Sequence, residues 1–194
     1  MISGFINIRK IIFVIVITMF VASIISGCGG NNGDDAMSMG TGDDMMGGFR
    51  VEQFEVKSDD LNGGVWDTII TNTENGKNLS PALSWDPVDG ADSYVIYMID
   101  TSANNWMHWK SNSVKDTDLE QGWASDEEYV GPYPPSGTHD YEIYVIALKK
   151  GLDRIGGDFD SANTDFDEDL KLLDTPGGNI LAYGHIVGTY TRGD

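Results

Sequence analysis

Apolar residues occur as one long run near the start of the chain and as several short, strand-like runs beyond residue 49. Ile11 to Ile25 is apolar but for Thr18 and Ser23 and follows the basic pair Arg9 and Lys10, the pattern of an export signal. It is shorter than the roughly 20 residues a membrane span requires. Gly29 to Gly48 is almost entirely Gly, Asn, Asp, Ser, Thr and Met, with no aromatic or β-branched apolar residue, so it cannot build a core. The folded domain is therefore expected over 49–194.

Within that domain the period is two. Phe49 to Val56 alternates unevenly, as an edge strand does. Ser93 to Asp100, Asp140 to Lys149 and Ile180 to Tyr190 are rich in β-branched and aromatic residues and are expected as central strands. Ala82 to Trp85 is expected as a short strand, its ends marked by Pro81 and Pro87, which cannot donate to a ladder. One helix is expected where Thr164 and Asp167 form an Asp version of a capping box and Phe166, Leu170, Leu172 and Leu173 follow, before Asp174 to Gly178 stops the run.

Composition narrows the classes. Against 31 acidic residues stand 12 Lys and Arg, a net charge of −19, which excludes a broad basic surface and with it DNA or RNA as partners. The single cysteine, Cys28, rules out an intrachain disulfide, a Cys-ligated zinc cluster and a CxxC pair. It closes Ile25-Ser26-Gly27-Cys28, which resembles the lipobox of bacterial lipoproteins, in which the cysteine receives diacylglycerol and becomes the mature N-terminus. The alternative is a retained anchor helix with an incidental cysteine. The expected organisation is a signal peptide over 1–27, a lipidated Cys28 with a flexible tether over 28–48, and one domain over 49–194. Losing Arg9 and Lys10 takes the net charge to about −21, and so acidic a domain is repelled by anionic headgroups. The lipid then holds the protein to the envelope, through a tether with a reach of roughly 25 Å. Gly29, rather than Asp, after the cysteine favours the outer membrane where there is one, and otherwise the outer face of the cytoplasmic membrane. Met37, Met39, Met45 and Met46 read either as a soft-metal site or as filler in the tether.

Two stretches concentrate the chemistry. Asp100 to Trp109 places a carboxylate at the end of a hydrophobic strand and His108 between aromatics; Tyr129 to Tyr141 is a proline-stiffened loop delivering His139 to the next strand. Both histidines are expected at loop–strand junctions, where binding groups concentrate. His185, alone in the last strand, reads as structural. Asp158, Asp160, Asp165 and Asp167 fail the spacing of a calcium loop, with Asn163 where glycine is needed and Asp169 at the twelfth position, and read as a solvated acidic loop. There is no nucleophile elbow and no phosphate-cradling glycine loop, and nothing singles out Ser102 or Ser136 as a nucleophile.

Four motifs in order, Gly76-Lys77-Asn78-Leu79-Ser80-Pro81-Ala82-Leu83-Ser84-Trp85, Asp100 through His108-Trp109, Gly131-Pro132-Tyr133-Pro134-Pro135-Ser136-Gly137-Thr138-His139, and Leu181-Ala182 with Gly188-Thr189-Tyr190, resemble the signatures of the phosphatidylethanolamine-binding protein, or Raf kinase inhibitor protein, family in its bacterial branch. The resemblance implies a mostly β, Greek-key β-sandwich with one or two short peripheral helices and a preformed pocket for phosphate or similar anions. Matched motif by motif, it assigns Asp100, His108, His139 and Tyr141 to that pocket and Gly131 and Pro132 to its wall. Imidazole N–H groups can donate to phosphate oxygens, and a carboxylate can orient an imidazole. The chain departs from the family pattern twice: Asp-Pro-Asp-x-Pro has become Asp100-Thr101-Ser102-Ala103-Asn104, and Gly-x-His-Arg has become Gly137-Thr138-His139-Asp140.

The leading expectation is a membrane-tethered, non-catalytic binding protein for a small phosphorylated or other anionic ligand, without a cofactor. The alternatives are an inhibitor or regulator acting on an envelope protein partner such as a protease, and a metal-dependent enzyme using Asp100, His108 and His139 as a two-His, one-carboxylate set.

Overall fold

A computed structural model describes residues 45, 46 and 48–193. The signal segment 1–27, Cys28, Met37 and Met39 lie outside the described residues. The strands are β1 (Met45–Met46), β2 (Phe49–Arg50), β3 (Glu52–Gln53), β4 (Val56–Lys57), β5 (Leu61–Asn62), β6 (Val65–Trp66), β7 (Leu83–Trp85), β8 (Ser93–Asp100), β9 (Trp106–Val114), β10 (Asp118–Leu119), β11 (Thr138–Leu148) and β12 (Ile180–Thr191), with one helix, α1 (Phe166–Leu173). The large sheet runs β5-β6-β12-β11-β8-β9, with β3 pairing parallel to β12; β10, β7 and β4 form a second, smaller sheet.

The architecture follows from β8, which is buried along its whole length. Its alternate residues face two different cores. Tyr94, Ile96 and Met98 meet Val56, Leu83, Trp85 and Leu119 of the small sheet. Val95, Tyr97 and Ile99 meet Phe166, Leu170 and Leu173 of α1. A strand sandwiched this way reads as a continuous apolar run, which is why its limits were predictable from sequence. Among the described residues the fold is a mostly β sandwich with a single α-helix covering the outer face of the large sheet, as expected.

The expected single strand over Phe49 to Val56 breaks into β2, β3 and β4. Glu52 and Gln53 pair with Ala182 and Tyr183 of the large sheet, whereas Val56 and Lys57 pair with Trp85 and Ser84 of the small one. The segment switches sheets, so its alternation is uneven. The capping box at Thr164 does not form: α1 begins one residue later, Asp165 stands at the cap position without a side-chain bond, and its carbonyl accepts from Glu168 N at 2.9 Å. Leu172, expected on the apolar face, is exposed.

Candidate functional site

Cross-strand register assembles the site at one end of the large sheet, on the side facing the small sheet. Asp100, the last residue of β8, pairs with Tyr141 of β11 and with Trp106 of β9. His139 precedes Tyr141 by one pleat and shares its face. In β9 the register shifts between Met98 and Ile99: Ile99 pairs with Met107 and Met98 with Trp109, leaving His108 as the extra residue of a bulge. The bulge has a packing signature, since Met107 lies in the helix-side core and Trp109 in the opposite one. Bulges re-aim side chains, and this one turns His108 toward Asp100's side of the sheet. His108 is therefore inside a strand, not at the loop–strand junction expected from sequence; His139, second in β11, is at such a junction.

Asp100, His108 and His139 line a cavity of about 460 Å3 together with Ala103, Trp106, Tyr133, Pro134, Pro135 and Arg192. Asp100 is 3% exposed. Its Oδ2 accepts from His139 Nδ1 at 2.6 Å, and its Oδ1 accepts from Ser102 N at 2.9 Å. The carboxylate thus holds a histidine and shapes a turn at once. That turn stands where the family pattern has prolines: a 3-10 turn over Thr101–Ala103, then Asn104 and Asn105, both in the left-handed region that asparagine tolerates. Ser102 Oγ accepts from Asp140 N at 3.0 Å and so ties the turn to β11.

His108 is held differently. Residues 128–130 run antiparallel to β9, with Lys110 N donating to Glu128 O and Val130 N to His108 O. This alignment places the Val130 carbonyl 2.8 Å from His108 Nδ1. A carbonyl only accepts, so Nδ1 carries the proton and Nε2 the lone pair. The ring sits edge-on to Tyr133 and Tyr141, at 5.4 and 5.2 Å, while Tyr141 stacks on His139. Burial pushes the His108 pKa down, against smaller upward effects from the Val130 carbonyl, Asp100, Asp160 and the Gly131 backbone. Burial, reinforced by Asp100, pushes Tyr141 up.

Gly131 and Pro132 are buried but do not line the cavity. A Cβ on Gly131 would lie 2.0 Å from Ile70 O, its N–H donates to Asn78 Oδ1 at 2.7 Å, and Pro132 O accepts from Asn72 N. The pair anchors the loop from behind and leaves the wall to Tyr133, Pro134 and Pro135. Tyr141 likewise supports both histidines from beneath.

Two residues of the site carry no signal in the sequence. Arg192, just past β12, lines the cavity; its N–H donates to Gly137 O at 3.0 Å and its Nη1 to Pro134 O at 3.1 Å. Asp140, which replaces the family's arginine, is exposed and alternates away from His139 and Tyr141, so its charge is not in the cavity. Asp160, expected in a solvated loop, instead accepts from Tyr133 OH at 2.6 Å and Trp106 Nε1 at 3.0 Å and braces the rim. His185 stacks on Tyr144 and bonds Glu142, away from this cluster. The two-His, one-carboxylate set does not assemble: both Asp100 oxygens are engaged, and among the described residues no three His, Cys, Asp or Glu side chains group as metal ligands.

The sequence model of the phosphatidylethanolamine-binding protein family matches residues 58–191. A UPF0098 protein of Methanothermobacter thermautotrophicus is 30% identical over 142 residues, covering 62% of this chain and 88% of that protein. A UPF0098 protein of Aquifex aeolicus is 29% identical over 142 residues, covering 62% and 78%. The fold resembles the crystal structure of a phosphatidylethanolamine-binding protein homologue of Chlamydia trachomatis, with a TM-score of 0.54 at 21% identity over 73% of this chain and 99% of that one. It also resembles an Escherichia coli protein described as a new member of the mammalian PEBP family, with a TM-score of 0.56 at 22% identity over 72% and 99%.

Proposed function

Given that the chain belongs to the phosphatidylethanolamine-binding protein family, we propose that it is a binding protein for a small phosphorylated or other anionic ligand, such as phosphate or a phospholipid headgroup. One observation carries the reading. The Asp100–His139 pair, His108 and the cation of Arg192 line a single preformed cavity whose remaining walls are aromatic and proline side chains. Small-ligand sites have this character, with a few polar groups fixed in an apolar concavity. The cationic group is local, because the chain as a whole is strongly acidic.

The function is binding without catalysis. Ser102 Oγ is engaged with the backbone of Asp140, and Ser136 is exposed in the proline loop outside the cavity lining. Neither hydroxyl donates a hydrogen bond to a histidine or a carboxylate among the described residues. The ligand is captured at the envelope surface by a domain tethered through lipid on Cys28, a reading supported by the basic pair, apolar run and Cys28 of the leader.

Titration of the purified protein with phosphate and phosphoethanolamine, following the ring signals of His108 and His139 by NMR, tests the binding reading. Saturable shifts that disappear in His108→Ala are expected; the absence of any shift at millimolar ligand overturns it. Lipidation is tested by the mass of the mature N-terminus, with Cys28→Ser expected to remain unprocessed.

A further inference from the structure

Both histidines spend Nδ1 on a protein acceptor, His139 on the Asp100 carboxylate and His108 on a backbone carbonyl. His108 uses its only N–H, at Nδ1, on the Val130 carbonyl, at 2.8 Å, so the nitrogen left for a ligand is an acceptor. Protonating that nitrogen is disfavoured by burial, since the ring is 3% exposed. The charged and titratable groups around it come from every neighbouring element: Asp100 from β8, His139 and Tyr141 from β11, Tyr133 and Asp160 from the loops, and Arg192 past β12. Two carboxylates thus stand against one permanent cation and one imidazole already paired with Asp100. Such a site has no surplus positive charge for a fully ionised phosphate, and it has a lone pair in want of a donor.

We infer that the pocket selects phosphomonoesters in their monoanionic, proton-bearing form, with the ligand's P–O–H donating to His108 Nε2 while Arg192 takes the ionised oxygens. This rests on the anion-binding reading above and narrows it. A phosphomonoester has a second pKa near 6 and can supply that proton. A sulfate monoester, or a phosphodiester such as an intact phospholipid headgroup, cannot. For those ligands an ionised oxygen would face the Nε2 lone pair, an unmatched buried contact that weakens binding by about 10- to 100-fold.

The test is calorimetric titration of the purified protein at pH 7 and pH 8 with phosphoethanolamine, ethanolamine O-sulfate and glycerophosphoethanolamine, each in two buffers of different ionisation enthalpy. Phosphoethanolamine is expected to bind with uptake of about one proton at pH 8 and to weaken roughly tenfold from pH 7 to pH 8, as the monoanion fraction falls. Because only about a tenth of phosphoethanolamine is monoanionic at pH 7, affinities are compared per monoanion, and on that basis the sulfate ester and the diester are expected to bind at least tenfold more weakly, without proton uptake. Equal per-monoanion affinity for all three, or binding of phosphoethanolamine without proton uptake, overturns the proton-sharing inference and leaves anion binding standing. Failure of all three to bind overturns both.

Discussion

His139 Nδ1 donates to Asp100 Oδ2 at 2.6 Å, a link between two strands whose backbone register already sets Asp100 opposite Tyr141, one pleat away. The same carboxylate accepts from Ser102 N and shapes the turn after β8. One buried acid therefore joins the strand that ends at the pocket, the turn that borders it and the histidine that lines it. Asp100→Ala leaves the part-buried Nδ1–H of His139 without its acceptor, while the Ser102 N–H, on an exposed residue, can turn to water. A loss of about 1.5–3 kcal/mol is expected, the contribution of one hydrogen bond to a charged group. Asp100→Asn, which retains an acceptor oxygen, is expected to lose less than half as much. Denaturant unfolding of the two variants checks the order, and equal losses would sink this account of Asp100.

Arg192 is the cation of the cavity, although its position in the sequence gives no hint of it. Its exposed side chain is held by a single hydrogen bond to Pro134 O, at 3.1 Å. Arg192→Ala is expected to leave stability within about 0.5 kcal/mol, the usual range for surface substitutions. Phosphoethanolamine affinity should fall about tenfold, consistent with the loss of one charge-assisted hydrogen bond. Arg192→Lys should restore only part of it, because an ammonium cannot hold the Pro134 carbonyl and the ligand in the same planar arrangement. Calorimetric titration of both variants decides this; unchanged affinity in the alanine variant removes Arg192 from the site.

Much of this site is legible in the sequence, for identifiable reasons. Ser93 to Asp100 reads as a strand because burial on both faces demands an unbroken apolar run. Asp100, His108, His139 and Tyr141 stand out because their chemistry is compressed into two short stretches. β9 does not read as a strand, because Lys110, Ser111, Asn112 and Ser113 are polar. Their polarity is answered internally: Lys110 donates to Gly157 O, Ser111 Oγ accepts from Trp109 Nε1, and Asn112 donates to Leu152 O. Arg192 and Asp160 reach the pocket from chain positions far from either stretch, and no local pattern marks a residue whose role depends on where the chain returns. Gly131 and Pro132 are visible as a motif, but their role in seating the loop on Ile70 and Asn72 depends on tertiary packing.

Gly131 provides a steric test of that seating. A Cβ there would meet Ile70 O at 2.0 Å and Asn72 N at 2.9 Å, both backbone atoms that cannot swing aside. Gly131→Ala is expected to cost about 3 kcal/mol, at the upper end of ordinary overpacking, and to move the Val130 carbonyl off His108. The outcome to measure is thermal unfolding together with the His108 ring chemical shifts. A variant with unchanged melting temperature and shifts would show that the loop is not pinned here.

The buried, neutral His108 also sets a pH dependence. Burial lowers its folded-state pKa below the ordinary 6.5, so over the interval between the two values the unfolded chain binds more protons than the folded one. Stability must then rise with pH across that interval. The contribution is complete above about pH 6.5 and is lost as pH falls through the folded-state value, with a slope of at most about 1.4 kcal/mol per pH unit. His108→Gln removes this group and leaves the carboxylates, whose titration weakens both proteins in acid. The melting temperature of the wild-type protein is therefore expected to exceed that of the variant most above pH 7, with the gap narrowing steadily toward pH 5. A gap that stays constant or widens on acidification would mean that the folded protein accepts a proton on His108 as readily as the unfolded chain does.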